Sequence, residues 1–312
     1  MKLLVDLAEL LVLADVPQQV GAEVDEQLYQ HLVTLFDVGL LTLQRITWDS
    51  PASLLEKLIA YEAVHAIDSW TDLKNRLDSD RRCYAFFHPA MPAEPLVFVE
   101  VALTSGIATD LVKLLDESAP ELDPEHADTA VFYSISNCQP GLAGVNLGNA
   151  LIKEVVEQLT VDLPRVHRFV TLSPIPGFRR WLESELAADA VSDAERALLP
   201  AEPERVLARL SDDDWDEDEA IKPALLALCA RFLTSPVDGR ARDQVANFHY
   251  ANGASLEQID WLADPSRSGR ARSAGLMANY LYVPDHIAQR ADRYARNGEI
   301  AYSGAIKELL AE

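Results

Sequence analysis

Cysteine is scarce: Cys83, Cys138 and Cys229 are the three in 312 residues. Their number and scatter exclude a disulfide framework and a thiolate zinc site. The seven histidines show no HExxH or paired spacing, so no metal is implied. Long apolar runs are missing too. The N-terminal stretch from Met1 to Leu11 is interrupted by Asp6 and Glu9, and no run elsewhere reaches membrane length. That argues against a signal peptide and a membrane span. Basic residues are few, with 27 Lys and Arg against 50 Asp and Glu and a formal charge of −23. A nucleic-acid partner needs clustered cations, so that class is excluded. The expectation is a soluble protein of a reducing compartment, the cytoplasm, with neither membrane nor nucleic acid as partner.

What is present is an ordinary folded composition, 49% apolar and 25% charged, long enough for one large domain or two modest ones. The acid is uneven. Seven of the eight residues from Asp212 to Glu219 are carboxylates, without the glycine and ligand alternation of a calcium loop, and they read as a solvated loop and helix start.

Residues 1–78 read as a short helical domain. Leu3, Leu4, Leu7, Leu10 and Leu11, then Leu28, Leu32, Leu35 and Phe36, recur at helical spacing, and Ser50-Pro51 is a helix start. From 79 to 312 a second domain mixes strands and helices. Cys83–Phe87 and Pro95–Leu103 are aromatic and β-branched and predict a hairpin. Residues 109–117 read helical, 129–136 as a strand, 147–159 as an amphipathic helix and 167–173 as a strand. Residues 179–232 form a helical insertion, 276–283 predict a strand, and the tail from Pro284 reads helical.

Two short segments carry the chemistry. Thr171-Leu-Ser-Pro-Ile-Pro-Gly-Phe178 is a strand end stopped by prolines that presents Ser173. Ala246-Asn-Phe-His-Tyr-Ala-Asn-Gly253 is a turn-rich stretch that presents His249. Ser173 is not in a GxSxG elbow, so acyl-serine hydrolysis has no support. Upstream, Ser136-Asn-Cys-Gln-Pro-Gly-Leu-Ala-Gly-Val-Asn146 is a glycine-containing strand-to-helix turn whose backbone N–H groups suit a pyrophosphate. Arg267, Arg270 and Arg272 form a basic turn, read as solvated, with phosphate binding as the minority reading. Each feature alone fits a bland structural role; together they suggest an enzyme acting on a coenzyme A thioester.

The combination resembles the malonyl-CoA decarboxylase family. From about Phe36 to Tyr282 the resemblance rests on Arg45-Ile-Thr-Trp48, Arg81-Arg-Cys-Tyr84, Glu94-Pro-Leu-Val97, Val101-Ala-Leu-Thr104, Phe132-Tyr-Ser-Ile-Ser136, Leu172-Ser-Pro-Ile-Pro-Gly-Phe178, Ala246-Asn-Phe-His249, Asn252-Gly-Ala254 and Gly275-Leu-Met-Ala-Asn-Tyr280. It implies a helical N-terminal domain, shortened here, that serves oligomerisation. It also implies a catalytic domain of the N-acetyltransferase (GNAT) fold: a mixed sheet flanked by helices, with coenzyme A between strands 129–136 and 167–173. The family's catalytic serine, histidine and tyrosine fall on Ser173, His249 and Tyr282. The residues expected to contact the coenzyme or substrate are Ser136, Gln139, Gly141, Gly144, Val145, Asn146, Pro174 and Arg267. Two departures stand out. Acetyltransferases of this fold usually place Gly three positions after their Gln or Arg, where this chain has Leu142, with Gly141 one place early. Some family members carry an acid where this chain has Asn146.

The implied reaction is malonyl-CoA to acetyl-CoA and CO2, by a homo-oligomer without metal or organic cofactor. Ser173 and His249 orient the carboxylate, backbone donors and Asn146 stabilise the enolate, Tyr282 positions His249 or the leaving carboxylate, and His249, titrating near neutrality, protonates the product carbon. An acyltransferase of the same fold and a non-catalytic malonyl-CoA sensor are the alternatives.

Overall fold

The structure, a computed structural model, describes Asp6 and residues 18–142, 144–187, 192–199, 201–212 and 214–311. The leucines at 3, 4, 7, 10 and 11 lie outside the described residues. The chain divides into two units, Met1–Gly106 with Leu115–His167, and Ile107–Leu114 with Arg168–Glu312.

In the first unit helix α1 (Gln18–Leu35) leads into strand β1 (Thr42–Ile46), helices α2 (Ala52–Tyr61) and α3 (Trp70–Asn75), strands β2 (Arg81–His88), β3 (Met91–Thr104) and β4 (Thr129–Asn137), and helix α4 (Leu147–Asp162). The four strands form an antiparallel run in the order β1-β2-β3-β4. Strand β1 corrects the all-helical reading of residues 1–78. Its five residues are mostly exposed, with Ile46 alone buried, so neither a helical stripe nor a clean alternation marks it. The central strands are buried on both faces, as expected when helices cover each side. Residues 83, 85 and 87 share a face by the two-residue period of a strand, and pack with Leu55 and Leu58 of α2 and Leu73 of α3. Helix α4 packs on β3 through an apolar stripe that includes Leu151, Val155 and Leu159. Phe86 and Phe98 lie wholly inside, and each such ring contributes roughly 1.5–3 kcal/mol through burial.

One buried cation ties the helices to the sheet. The Arg76 guanidinium pairs with Asp72 at 2.8 Å and Glu100 at 3.1 Å, and donates to the carbonyls of His65 and Ala66. Burial works against its charge, yet the Asp72 and Glu100 carboxylates hold it above the usual guanidinium range. Burial, with Glu62 nearby, pushes Glu100 up to about 8.

The second unit is built round strand β8. Its elements are β5 (Arg168–Thr171), β6 (Ser173–Pro174), α5 (Phe178–Ala187), α6 (Pro203–Arg209), α7 (Ile221–Thr234), α8 (Gln244–Ala251), β7 (Ser255–Asp260), α9 (Arg267–Ser273), β8 (Met277–Tyr282), α10 (Ile287–Asn297) and α11 (Gly304–Ala311). Strands β5, β6 and β7 all pair antiparallel with β8. The helical insertion and the helical tail fall where the sequence places them. Two segments read as turns are helices instead. Arg267–Ser273 starts from Ser266, whose hydroxyl accepts from Gly269 N–H, and Gln244–Ala251 starts from Asp243.

The acidic run is largely exposed, as its composition suggests, and several of its carboxylates are paired. Arg209 holds Asp212 and Asp214, and the Arg270 fork binds both Asp216 oxygens at 2.9 and 2.8 Å. Among the described residues no helix is long and apolar enough to cross a membrane. All three cysteines are free and buried.

Candidate active site

The first of the two chemical segments is placed by an interruption in a strand pair. Phe169 and Val170 pair with Tyr282 and Leu281, and Ser173 and Pro174 resume in the same register opposite Ala278 and Met277. Over the residues between, side chains replace the ladder. Thr171 Oγ1 accepts from the Tyr280 N–H at 3.2 Å, and Asn279 Nδ2 donates to the Thr171 carbonyl at 2.7 Å and to that of Ala108 at 3.2 Å. Buried backbone groups left by the interruption are thereby satisfied. The Ser173 hydroxyl emerges from this interruption and donates to Thr171 Oγ1 at 2.8 Å.

The second segment is held at both ends. One Asp243 oxygen accepts from Val245 and Ala246 N–H at the start of α8, and the other accepts from Gly177 N–H at 3.0 Å, just beyond Ser173-Pro-Ile-Pro. The same carboxylate therefore fixes the helix carrying His249 and the loop following Ser173. A Cβ at Gly177 would lie 3.2 Å from that oxygen, which favours glycine there. At its other end α8 closes with a Schellman motif: Ala254 N–H reaches the His249 carbonyl and Gly253 N–H that of Tyr250. Gly253 has φ +81°, and an added Cβ would lie 2.1 Å from the Ile287 carbonyl oxygen. His249 is thus set in the last helical turn, and the chain leaves directly into β7.

These supports bring three candidate residues together. His249 Nε2 lies 3.1 Å from Ser173 Oγ, and its Nδ1 lies 2.8 Å from the Tyr282 hydroxyl. All are buried, Ser173 at 6% exposed and His249 and Tyr282 at 2% each. The imidazole stacks on Tyr280 at 4.3 Å between centroids, with Phe248 edge-on at 5.1 Å. Burial lowers the His249 pKa to about 3. The expectation of a histidine titrating near neutrality is therefore corrected: desolvation by this aromatic setting keeps the imidazole uncharged at neutral pH. Burial also pushes the Tyr282 hydroxyl above the ordinary phenol range, so it keeps its proton.

The remaining candidates lie elsewhere. Pro174 follows Ser173 in β6, and Arg267 begins α9 with an exposed side chain. The turn residues belong to the first unit. There the Ser136 hydroxyl accepts from Ala63 N–H and donates to Glu62, and Gln139 donates to the Pro95 carbonyl from a buried position. Their side chains are engaged in protein contacts. Gly141 sits in a single 3-10 turn, and Gly144 takes φ +87° with its carbonyl accepting from Tyr29. The N–H groups of Leu142, Val145 and Leu147 bond within the turn. Asn146 caps α4 by backbone alone, its side chain exposed.

Thr171, Asn279, Tyr280 and Asp243 escape the sequence reading. An Asp three residues before Ala246 is a helix-cap signal that could have found α8. The threonine and asparagine act across strand pairs remote in sequence and give no local sign.

A family model described as the malonyl-CoA decarboxylase C-terminal domain matches residues 39–312. Mitochondrial malonyl-CoA decarboxylases of Anser anser anser and Rattus norvegicus are each 38% identical over 89% of this chain. The chain spans 59% and 60% of their lengths. The crystal structure of a malonyl-CoA decarboxylase from Agrobacterium vitis is similar at 44% identity and a TM-score of 0.92, covering 99% of this chain and 76% of that one. That from Rhodopseudomonas palustris is 42% identical with a TM-score of 0.86, covering 98% and 75%.

Proposed function

The chain belongs to the malonyl-CoA decarboxylase family, and on that footing we propose that it is a carboxy-lyase converting malonyl-CoA to acetyl-CoA and CO2. The observation that carries the proposal is the buried, hydrogen-bonded chain of Tyr282, His249 and Ser173, with links of 2.8 and 3.1 Å. Bond cleavage sends an electron pair from the carboxylate bond into the thioester carbonyl, which serves as the sink. It proceeds best when the carboxylate stands perpendicular to the thioester plane. Donation from Ser173 and His249 holds the carboxylate in that twist, an effect of orientation.

A neutral imidazole suits this work better than a charged one. An imidazolium would stabilise the ground-state carboxylate by full ion pairing, and that stabilisation disappears as CO2 departs. An uncharged donor orients the group with less of that cost. The rings of Tyr280 and Phe248 exclude water beside it. The carbon left behind gains one proton from a neutral donor, replaced in turn from water. Backbone N–H groups stabilise the enolate oxygen, each such donor contributing about 100- to 1,000-fold in rate.

The test mixes the purified chain with malonyl-CoA, without added metal or acceptor, and follows the thioesters by mass spectrometry. Stoichiometric acetyl-CoA supports the proposal. Intact malonyl-CoA together with a raised thermal midpoint would mean a binding protein, and turnover appearing only when an amine acceptor is supplied would mean an acyltransferase.

A further inference from the structure

Beside the three residues of the proposed site a fourth residue, with a hydroxyl of its own, decides which way every hydrogen bond among them points. Thr171 is 1% exposed and lies in the interruption between β5 and β6. Its Oγ1 already accepts from the Tyr280 backbone N–H at 3.2 Å, a donor that cannot turn away or reverse. The same oxygen takes the Ser173 hydroxyl proton at 2.8 Å. With its one proton committed there, Ser173 can only accept from His249 across their 3.1 Å contact. The Nε2 atom must then carry the hydrogen of the imidazole. A neutral imidazole has one N–H, so Nδ1 is bare and accepts from the Tyr282 hydroxyl at 2.8 Å. Every link agrees in direction: Tyr282 to His249, His249 to Ser173, Ser173 to Thr171.

We propose that Thr171 is a positioning residue which, by accepting from Ser173, keeps the His249 proton on Nε2, the nitrogen facing the serine. The functional meaning rests on the decarboxylase reading. A carboxylate arriving at Ser173 and His249 meets two donors only while Nε2 bears hydrogen. In the other tautomer it would meet a lone pair, and repulsion would replace a hydrogen bond. Tyr282 holds the state from the far side by occupying Nδ1. When substrate takes the Ser173 proton away from Thr171, the imidazole therefore remains a donor.

Direct observation of the tautomer in the free protein tests this without any substrate. Ring-nitrogen NMR of isotope-labelled histidine distinguishes the protonated from the bare nitrogen, and the signal missing from His249→Gln assigns His249 among the seven histidines. The expected result for the unaltered chain is hydrogen on Nε2. In Thr171→Val the serine loses its acceptor and turns to Nε2, so the Nδ1-protonated form gains population and kcat/KM falls about tenfold, the scale of one lost hydrogen bond. Thr171→Ser, which keeps the oxygen, restores both. Hydrogen on Nδ1 in the unaltered chain would overturn the proposal, and this reading does not depend on the variants folding. A lower thermal midpoint in Thr171→Val with an unchanged tautomer would also overturn it, since a purely structural threonine gives that pattern. Failure of the decarboxylase reading would leave the tautomer result standing, so the two are separable.

Discussion

His249 is surrounded by rings and hydroxyls, and the chemistry available to it follows from that setting. With its pKa lowered to about 3 by burial, it is neutral throughout the ordinary working range. The pH profile of kcat/KM for malonyl-CoA is therefore expected to show no histidine step between about pH 5 and 8. A rate that rises or falls tenfold around pH 6.5 would show that imidazolium participates. Ser173→Ala and His249→Gln should each lower turnover by about 100-fold or more. Full turnover in both variants would remove the two residues from the mechanism. At this scale the sequence was legible where chemistry is written in the residue itself: Ser173, His249 and Tyr282, the last brought out by family resemblance alone, do meet. What could not be read was the protonation state, because it depends on Tyr280 and Phe248 closing round the ring. Gln139 and Ser136 teach the converse. They sit in the expected turn, but Pro95 and Glu62 occupy their side chains.

The elements matter through their ends. Helix α8 holds His249 because Asp243 caps its start and Gly253 ends it in left-handed backbone. Asp243→Ala removes a cap, a loss of about 1–2 kcal/mol in a folded protein, and also releases Gly177. Turnover should fall further than the thermal midpoint alone suggests, because the segments carrying Ser173 and His249 each lose one anchor. Unchanged kcat with a lowered midpoint would reduce Asp243 to a stability role. The hairpin strands β2 and β3, helix α4 and strand β8 were readable from apolar, aromatic and β-branched patterning. Strands β1 and β7 were not, since Thr42–Ile46 and Ser255–Asp260 are short, rich in polar residues and without clean alternation. Helix α8 looked turn-rich because its eight residues include one asparagine, and Asn252-Gly253 follows directly. The Asn-Gly pair was a true stop signal, placed after a helix that the reading did not see.

For the whole molecule, charge and burial set the stability profile. Unfolded, His249 takes a proton below about pH 6.5 that the native state refuses until about pH 3. Its contribution is complete above pH 6.5 and is lost as pH falls from there toward 3. A urea titration at stepped pH values should show this slope reduced in His249→Gln, and an equal slope in both proteins would contradict it. Glu100 works in the opposite sense. With its folded pKa raised to about 8, its contribution is complete below its unfolded value and declines as pH rises toward 8. Arg76→Ala leaves Glu100 and Asp72 without their buried partner and is expected to cost about 3–5 kcal/mol. The formal charge of −23 turned attention from nucleic acid, but it said nothing of Arg76 or of the arginines that hold the acidic run. The Arg76–Glu100 and Arg270–Asp216 pairs join residues far apart in the chain. The most direct test of the central claim is release of labelled CO2 from malonyl-CoA carrying the isotope in its free carboxyl. The unaltered chain should release one CO2 for each acetyl-CoA formed, with release about 100-fold slower in Ser173→Ala. No labelled CO2 from the unaltered chain, or equal release by the two proteins, would contradict the account.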